Sequence, residues 1–149
     1  MSRQPRIALF PGSFDPFTVG HEALVRRALA VFDRVVVAVG QNSDKHYMFS
    51  AERRVEMAKR FFADDERVRV VAYSDMTIDC CRREGARFLL RGLRNAADLE
   101  YERKVAAVNR VLASDIETVL LLADADMENV SSTIERERLL HATNTENAC

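Results

Sequence analysis

The sequence has few of the residues that build disulfide-bonded or metal-bound scaffolds. Only three of its 149 residues are cysteines, of which Cys80 and Cys81 are adjacent and Cys149 is the last residue. They form no Cys-x-x-Cys pair and no Cys/His spacing typical of a zinc site. We therefore predict neither a disulfide framework nor bound zinc, and reduced thiols in a cytoplasmic protein are the expected state.

A net charge is also almost absent. The 22 Lys and Arg residues are balanced by 23 Asp and Glu residues, which leaves a formal net charge of −1. Such a balance provides no global attraction to nucleic acid or to an anionic membrane, and we expect neither as a partner. Any phosphate-binding site must therefore be built from locally placed groups.

Long apolar runs are missing too. The first run, residues 7–10, is too short for the core of a signal peptide or for a membrane span, so we expect a soluble protein. With 48% apolar residues, five Gly and three Pro, the composition is that of a globular chain rather than a disordered one. The simplest organisation is one domain, residues 1–149, with a frayed polar tail at about residues 143–149.

The chain does contain a regular alternation of two patterns. Short apolar runs rich in β-branched residues alternate with stretches that have apolar residues at helical spacing. The runs cover residues 7–10, 35–40, 68–73, 88–91 and 118–123, and the helical stretches cover residues 22–31, 51–62, 77–84 and 97–112. This alternation predicts parallel strands buried on both faces by helices. We predict an α/β fold, a Rossmann-like, doubly wound sheet of five parallel strands.

Polar and basic residues follow the predicted strands. In open α/β sheets, ligands bind beyond the carboxyl ends of the strands, where the winding reverses. The stretch 11–21 leads from the first strand through Gly12 and Gly20 to His21 at a helix start, a geometry that favours an anion. Later strands are followed by Lys45, by residues 74–77, by residues 91–94 and by residues 130–133, where the last helix is expected to start. This collection predicts a polyphosphate site.

Several of these residues also have a structural interpretation. Ser132 can form a capping box with Glu135 and start a helix, Lys45 can be a solvated surface charge, and His21 can be a satisfied helix-start histidine. Arg91 is different, because an Arg that closes an apolar strand in such a sheet favours bidentate phosphate binding. For His21 and Arg91 we favour the functional interpretation.

Taken together, these segments resemble the bacterial phosphopantetheine adenylyltransferases of the nucleotidylyltransferase superfamily. The stretch 11–16 followed by Thr18-Val19-Gly20-His21 is similar to the T/H-x-G-H signature of the superfamily, and the similarity extends over residues 7–140. Further similarities, in order and spacing, lie at Lys45, residues 91–94, residues 98–102, Asn109 and residues 130–133. The resemblance implies transfer of AMP from ATP to 4′-phosphopantetheine, with Mg²⁺ as cofactor and a homohexameric assembly.

The same resemblance assigns the site residues. It implies catalytic roles for His21, Ser13, Lys45 and Arg91. The implied ATP-binding residues are Ser13, Phe14, His21, Gly92, Arg94, Asp98, Glu102, Val130, Ser131, Ser132 and Thr133. The implied phosphopantetheine-binding residues are Ser13, Lys45, Asp75, Met76, Thr77, Arg91, Asn109 and Glu137. No protein metal ligand is implied, since the substrate phosphates would hold most of the Mg²⁺.

Two other functions are compatible with the same predicted polyphosphate site. A cytidylyltransferase acting on a small phosphorylated alcohol usually has a second His at the position of Thr18. A non-catalytic ATP-binding module would not need the second phosphate clamp formed by Lys45 and Arg91. Near Arg94, Glu100 or Glu102 could bind a ribose hydroxyl or form an ordering ion pair. The family also often has Thr where Ser13 stands and an aromatic residue where Met127 stands.

Overall fold

Strands and helices alternate along the described part of the chain. The computed structural model describes residues 3–124 and 127–147, the latter with backbone alone at 127–131 and 143–147. The strands are β1 (Ile7–Gly12), β2 (Arg34–Gly40), β3 (Val68–Tyr73), β4 (Phe88–Leu93) and β5 (Glu117–Leu122). The helices are α1 (Val19–Ala28), α2 (Ala51–Phe61), α3 (Thr77–Glu84), α4 (Ala96–Leu112) and α5 (Met127–Asn147). The predicted order of elements is confirmed.

The five strands form one parallel sheet in the order β3-β2-β1-β4-β5. From β1 the chain first moves outward through β2 and β3, and it then returns to the other side of β1 for β4 and β5. The predicted doubly wound Rossmann-like fold is confirmed. The winding reverses between β1 and β4, so the loops that follow these two strands diverge and leave a crevice.

Both faces of the central strands are buried. Alternate residues of β1 and β2 enter two different cores: Phe10 and Val37 pack with α1 and α2 on one face, whereas Leu9 and Val36 pack with α3 on the other. Residues two apart in a strand point to the same face, so a run without polar residues fills both cores. This explains the nearly continuous hydrophobicity of the strand sequences.

Local signals set most helix boundaries. The Ser50 hydroxyl accepts a hydrogen bond from the backbone N–H of Arg53 at 3.1 Å and caps α2, as predicted. Gly85 ends α3 in the left-handed conformation, with φ of 70°, which is also as predicted. The prediction that α1 begins at residue 22 is wrong, because Thr18 is its N-cap and the helix begins at Val19.

The last helix departs further from the prediction. Residues 130–133 were expected to start it, but α5 begins at Met127, so Ser132 and Thr133 lie inside the helix. Met and Glu at its first two positions are good helix formers, and they outweigh the capping signal of Ser132. The helical backbone continues to Asn147 and so includes residues 143–147 of the tail that we predict to be frayed, while residues 148–149 lie outside the described part. None of the described helices combines the length and apolar character needed to cross a membrane.

Candidate active site

The β1 loop, residues 13–18, lies at the point where the winding reverses. The backbone is strained at Phe14, whose φ is 47°, and not at Gly12 or Gly20, where the sequence predicted unusual conformations. Gly12 is needed for a different reason: a Cβ atom there would lie 2.7 Å from the ring of Phe14. The Phe14 side chain is buried, so the predicted ATP contact of this residue could come only from its backbone.

His21 is held in place by the start of α1. Its Nδ1 atom accepts a hydrogen bond from the backbone N–H of Thr18 at 3.0 Å, which completes a capping box. Because Nδ1 is an acceptor, the proton of the neutral ring lies on Nε2. Thus His21 both caps the helix and keeps a hydrogen-bond donor at Nε2, so the structural and the functional interpretations of this residue are compatible.

The surroundings of His21 keep it neutral at pH 7. Its ring packs against Phe14 and Phe17, with centroid distances of 5.0 and 5.1 Å. Burial lowers the pKa of the imidazole below its ordinary value of 6.5, and the positive charge of Arg94 lowers that pKa further. The side chain is therefore a neutral N–H donor in the physiological pH range.

A cleft of about 1060 Å³ is lined by Ser13 at the start of the β1 loop, and His21 is not part of its lining. Its walls come from the ends of β1, β2, β3 and β4 and from one face of α4. It brings together seven of the eight residues predicted to bind phosphopantetheine, namely Ser13, Lys45, Asp75, Met76, Thr77, Arg91 and Asn109. The polar residues lie toward the strand ends, and apolar residues of α4, among them Val105 and Leu112, form much of one wall.

Arg91 enters this cleft with a fixed orientation. Its Nε and one terminal nitrogen donate to the carboxylate of Glu102 at 2.9 to 3.1 Å, and the other terminal nitrogen donates to the carbonyl oxygen of Pro11 at 2.7 Å. These bonds use three of the five guanidinium N–H groups. Within the described part of the chain, one N–H on each terminal nitrogen is left for a phosphate. Glu102 is thus an ordering partner of Arg91, not of Arg94 as its spacing suggested.

Asp75 and Thr77 at the third strand end already have partners. Asp75 forms an ion pair with Arg83 at 2.7 Å, and the hydrogen bond to Arg83 lowers the pKa of Asp75. Thr77 lies 3.1 Å from the Tyr73 hydroxyl. Because the side chains of Asp75 and Thr77 are held by protein partners, they form a fixed edge of the cleft, which suits an uncharged part of a substrate.

Arg94 and Gly92 lie apart from the cleft lining. The side chain of Arg94 is exposed and lies 3.4 Å from Asp98, whose carboxylate also accepts the backbone N–H of Arg94 at 2.9 Å. Gly92 faces α1, since a Cβ atom there would lie 2.9 Å from Leu24. Arg94 also lies close enough to His21 to lower the pKa of that residue. Gly92, Arg94 and His21 therefore form a second group of predicted site residues, near α1.

Some predicted site residues lie neither in the cleft lining nor near His21 and Arg94. Glu137 lies on α5, where it pairs with His141 at 3.7 Å, and it does not line the cleft. The described side chains of α5, residues 132–142, are all exposed, so this helix does not pack over the cleft. Ser132 and Thr133 lie within the helix, and the side chains of Val130, Ser131 and Met127 are outside the described residues.

Sequence reasoning missed Arg54. This residue lies on the buried face of α2 with Val55 and Ala58, is 1% exposed, and donates to the carbonyl oxygens of Ser13 and Gly40. Its spacing from Ala58 could have shown that it points inward, because residues four apart share a helix face. Nothing local in the sequence indicates its partners.

The chain matches known proteins over most of its length. Residues 9–138 match the cytidylyltransferase-like family. A phosphopantetheine adenylyltransferase of Phocaeicola vulgatus is 50% identical over 134 residues, which are 90% of this chain and 88% of that protein. Another of Flavobacterium johnsoniae is 48% identical over 136 residues, 91% of this chain and 89% of that protein.

The fold is also shared with a distant solved structure. The crystal structure of a lipopolysaccharide core biosynthesis protein from Thermoplasma volcanium superposes with a TM-score of 0.59 over 81% of this chain and 98% of that one. At 16% sequence identity this likeness concerns the fold alone. The identities near 50% confirm the resemblance stated from the motifs. The chain belongs to the phosphopantetheine adenylyltransferases of the cytidylyltransferase-like family and is a nucleotidyltransferase.

Proposed function

We propose that this enzyme transfers AMP from ATP to 4′-phosphopantetheine in coenzyme A synthesis. An oxygen of the phosphopantetheine phosphate attacks the α-phosphorus of ATP in line. The bond from that phosphorus to the bridging oxygen breaks, so pyrophosphate leaves and dephospho-CoA forms. The attacking oxygen is already ionised at neutral pH, so the reaction needs neither a general base nor a covalent intermediate. The names of the relatives support the substrate pair.

The shape and lining of the cleft support 4′-phosphopantetheine as the acceptor substrate. Arg91 offers two N–H groups at the strand ends, where Lys45 and Ser13 also line the wall. A terminal phosphate held there would leave the rest of an elongated molecule to run along the apolar wall of α4 toward Met76 and Asn109. A phosphate head with a long amide arm matches this sequence of polar and apolar surfaces.

The α1 side of the β1 loop supports the role of ATP. The neutral His21 can donate through Nε2 to an α-phosphate oxygen as its charge grows during attack. Arg94 adds a positive charge near His21 and is available for the outer phosphates, while Asp98 holds its backbone. The β1 loop, with Ser13 in the cleft lining and His21 shortly after it in the chain, then lies beside both reacting phosphates.

Mg²⁺ belongs to the same proposal. Among the side chains that the structure describes, no three His, Cys, Asp or Glu residues cluster closely enough to hold a metal ion. Mg²⁺ keeps much of its water and commonly binds through substrate phosphates, which fits a site with few free carboxylates. When bound to ATP it would neutralise charge on the phosphates. A cytoplasmic location completes the proposal, and the free, buried thiols of Cys80 and Cys81 are compatible with a reducing compartment.

The substrate pair can be tested directly. We expect pyrophosphate release from ATP with 4′-phosphopantetheine in the presence of Mg²⁺, and no comparable release from CTP with glycerol 3-phosphate. The measurement is a coupled pyrophosphate assay, with dephospho-CoA identified by mass spectrometry. Absence of turnover with the first pair by correctly folded protein would reject the proposed reaction. Turnover with only the second pair would favour the cytidylyltransferase alternative, and ATP binding without any turnover would favour the binding module.

We further propose that the chain assembles as a homohexamer. Large apolar side chains on α4 and α5 are exposed, including Val108 at 59% and Val111 at 87%. A soluble monomer rarely exposes so many on neighbouring turns of one helix, and a second copy of the chain would cover them. The exposed set on the two helices is Leu99, Tyr101, Val108, Val111, Leu112, Ile134, Leu139 and Leu140. Tyr101, Val108 and Leu112 also line the cleft, so a contact through α4 would border the cleft.

Light scattering after size-exclusion chromatography tests the assembly. We expect the native protein to have six times the monomer mass, and Val111→Glu to shift the population toward smaller species because it would place charges in the contact. Val31→Glu is the matched control, since Val31 is an exposed valine that follows α1. A native monomer, or equal masses for the native protein and Val111→Glu, would contradict the role of α4.

A further inference from the structure

Arg54 is the one fully buried side chain of α2 that carries a charge. It is 1% exposed, and its guanidinium lies 3.9 Å from the centroid of the Tyr47 ring. No described Asp or Glu forms an ion pair with it. A buried cation without a carboxylate is costly unless fixed dipoles solvate it, so the positions of its hydrogen-bond partners matter.

Those partners come from three separate segments. One terminal nitrogen donates to the carbonyl oxygens of Ser13 at 2.7 Å and of Gly40 at 2.8 Å, and Nε donates to that of Phe49 at 3.1 Å. Ser13 begins the β1 loop, Gly40 ends β2, and Phe49 precedes α2. One side chain therefore joins the β1 loop to both ends of the segment that carries Lys45.

A carboxylate adds to the contacts between the β1 loop and the segment that joins β2 to α2. Asp15 accepts the backbone N–H groups of Met48 and Phe49, the latter at 2.9 Å. The β1 loop is thus tied to residues 48–49 by its own side chain as well as by Arg54. Ser13 and Lys45, which both line the cleft, lie on the two segments that these contacts hold together.

We propose that Arg54 is a positioning residue for the reaction. It fixes Ser13 of the β1 loop relative to the Lys45 loop, and it adds, next to Ser13, a positive charge that is not paired with any described carboxylate. Positioning of this kind affects the rate strongly, because a displacement of about 1 Å can lower it by about 10²-fold. This inference rests on the proposed reaction.

The test compares Arg54→Met with Arg53→Met. Arg53 is the adjacent, exposed arginine of α2, so its replacement controls for the loss of one positive charge from the helix. We expect Arg54→Met to lower kcat by about 10²-fold, far more than it raises either KM, when assayed well below its Tm. Arg53→Met should keep the native kcat. A kcat for Arg54→Met within about twofold of that of Arg53→Met would reject positioning and leave Arg54 a structural residue.

Two further measurements keep the result interpretable. If Arg54→Met does not fold, Arg54→Lys replaces it, because an ammonium keeps the charge but cannot reproduce the planar fork. For Arg54→Lys we expect a kcat lowered by about tenfold, and a native kcat would reject the proposal. The native enzyme is assayed with the same substrates in parallel. If the native enzyme shows no turnover, the proposed reaction fails. If the native enzyme turns over and the kcat of the Arg54 variant equals the native kcat, only the positioning role is rejected.

Discussion

Replacing His21 with alanine is expected to lower kcat by about 10³-fold while the protein remains folded. The Nε2–H group of the neutral ring is a fixed donor at the start of α1, next to the β1 loop, where charge grows on the α-phosphate under the proposed reaction. A donor of this kind acts mainly in the transition state, so KM for either substrate should change much less than kcat. Steady-state kinetics with both substrates varied gives the comparison.

Folding effects can be separated from this loss. His21→Ala also removes the acceptor for the Thr18 N–H group, which should lower the free energy of unfolding by about 1 kcal/mol. His21→Gln restores such an acceptor, because Gln at this helix position completes a capping box. We therefore expect His21→Gln to recover Tm but not the native kcat. His46→Ala, in an exposed loop, serves as the control. A near-native kcat for His21→Ala would remove His21 from the active site.

The pH dependence follows from the lowered pKa of His21. Because that pKa is below 6.5, the ring is predominantly neutral from pH 7 upward, and the contribution of His21 to kcat should vary little there. As the pH falls below 6.5, the unfolded chain binds the proton before the folded protein does, so the stability contributed by His21 decreases toward acid. An NMR titration of the ring should show the Nε2–H tautomer at pH 7.

The sequence predicted the strands to within two residues and α2, α3 and α4 to within one, whereas the starts of α1 and α5 were wrong. The apolar run at residues 35–40 matches β2 because a strand buried on both faces must be apolar throughout. The run at residues 68–73 matches β3, although this edge strand contains the exposed Arg69 and buries only Val70. The runs at residues 7–10 and 88–91 fall two residues short of β1 and β4. Backbone pairing continues past the apolar residues, as far as Gly12 opposite Val39, because ladder hydrogen bonds do not depend on the side chains.

The cleft lining was predictable where a motif places residues at a strand end. Ser13, Lys45 and Arg91 meet in one cleft because the carboxyl ends of parallel strands share one edge of the sheet. Contacts between distant segments were not predictable. Glu102 pairs with Arg91, eleven residues away and on another element, and the carbonyl partners of Arg54 lie at residues 13, 40 and 49. Chain spacing gives no information on such contacts.

Arg91→Ala is expected to impair both stability and acceptor binding. The variant leaves the carboxylate of Glu102, whose side chain is 5% exposed, without its partner, which should lower the free energy of unfolding by about 3 kcal/mol. It also removes the two N–H groups available for a phosphate, so KM for 4′-phosphopantetheine should rise by about 10²-fold. KM for ATP should stay nearly unchanged, because Arg94 and His21 remain. Arg87→Ala, at the exposed residue before β4, is the control.

A double variant distinguishes the two effects of Arg91. Combining Arg91→Met with Glu102→Leu removes both charges, and well-packed apolar replacements of a buried pair are often neutral for stability. We therefore expect the double variant to regain most of the lost Tm while its KM for 4′-phosphopantetheine stays high. If the double variant recovered both the native Tm and the native KM for 4′-phosphopantetheine, Arg91 would act only by neutralising Glu102. A selective rise in KM for ATP would instead place the nucleotide phosphates in the cleft, so that the two phosphate-binding groups would have to exchange their substrates.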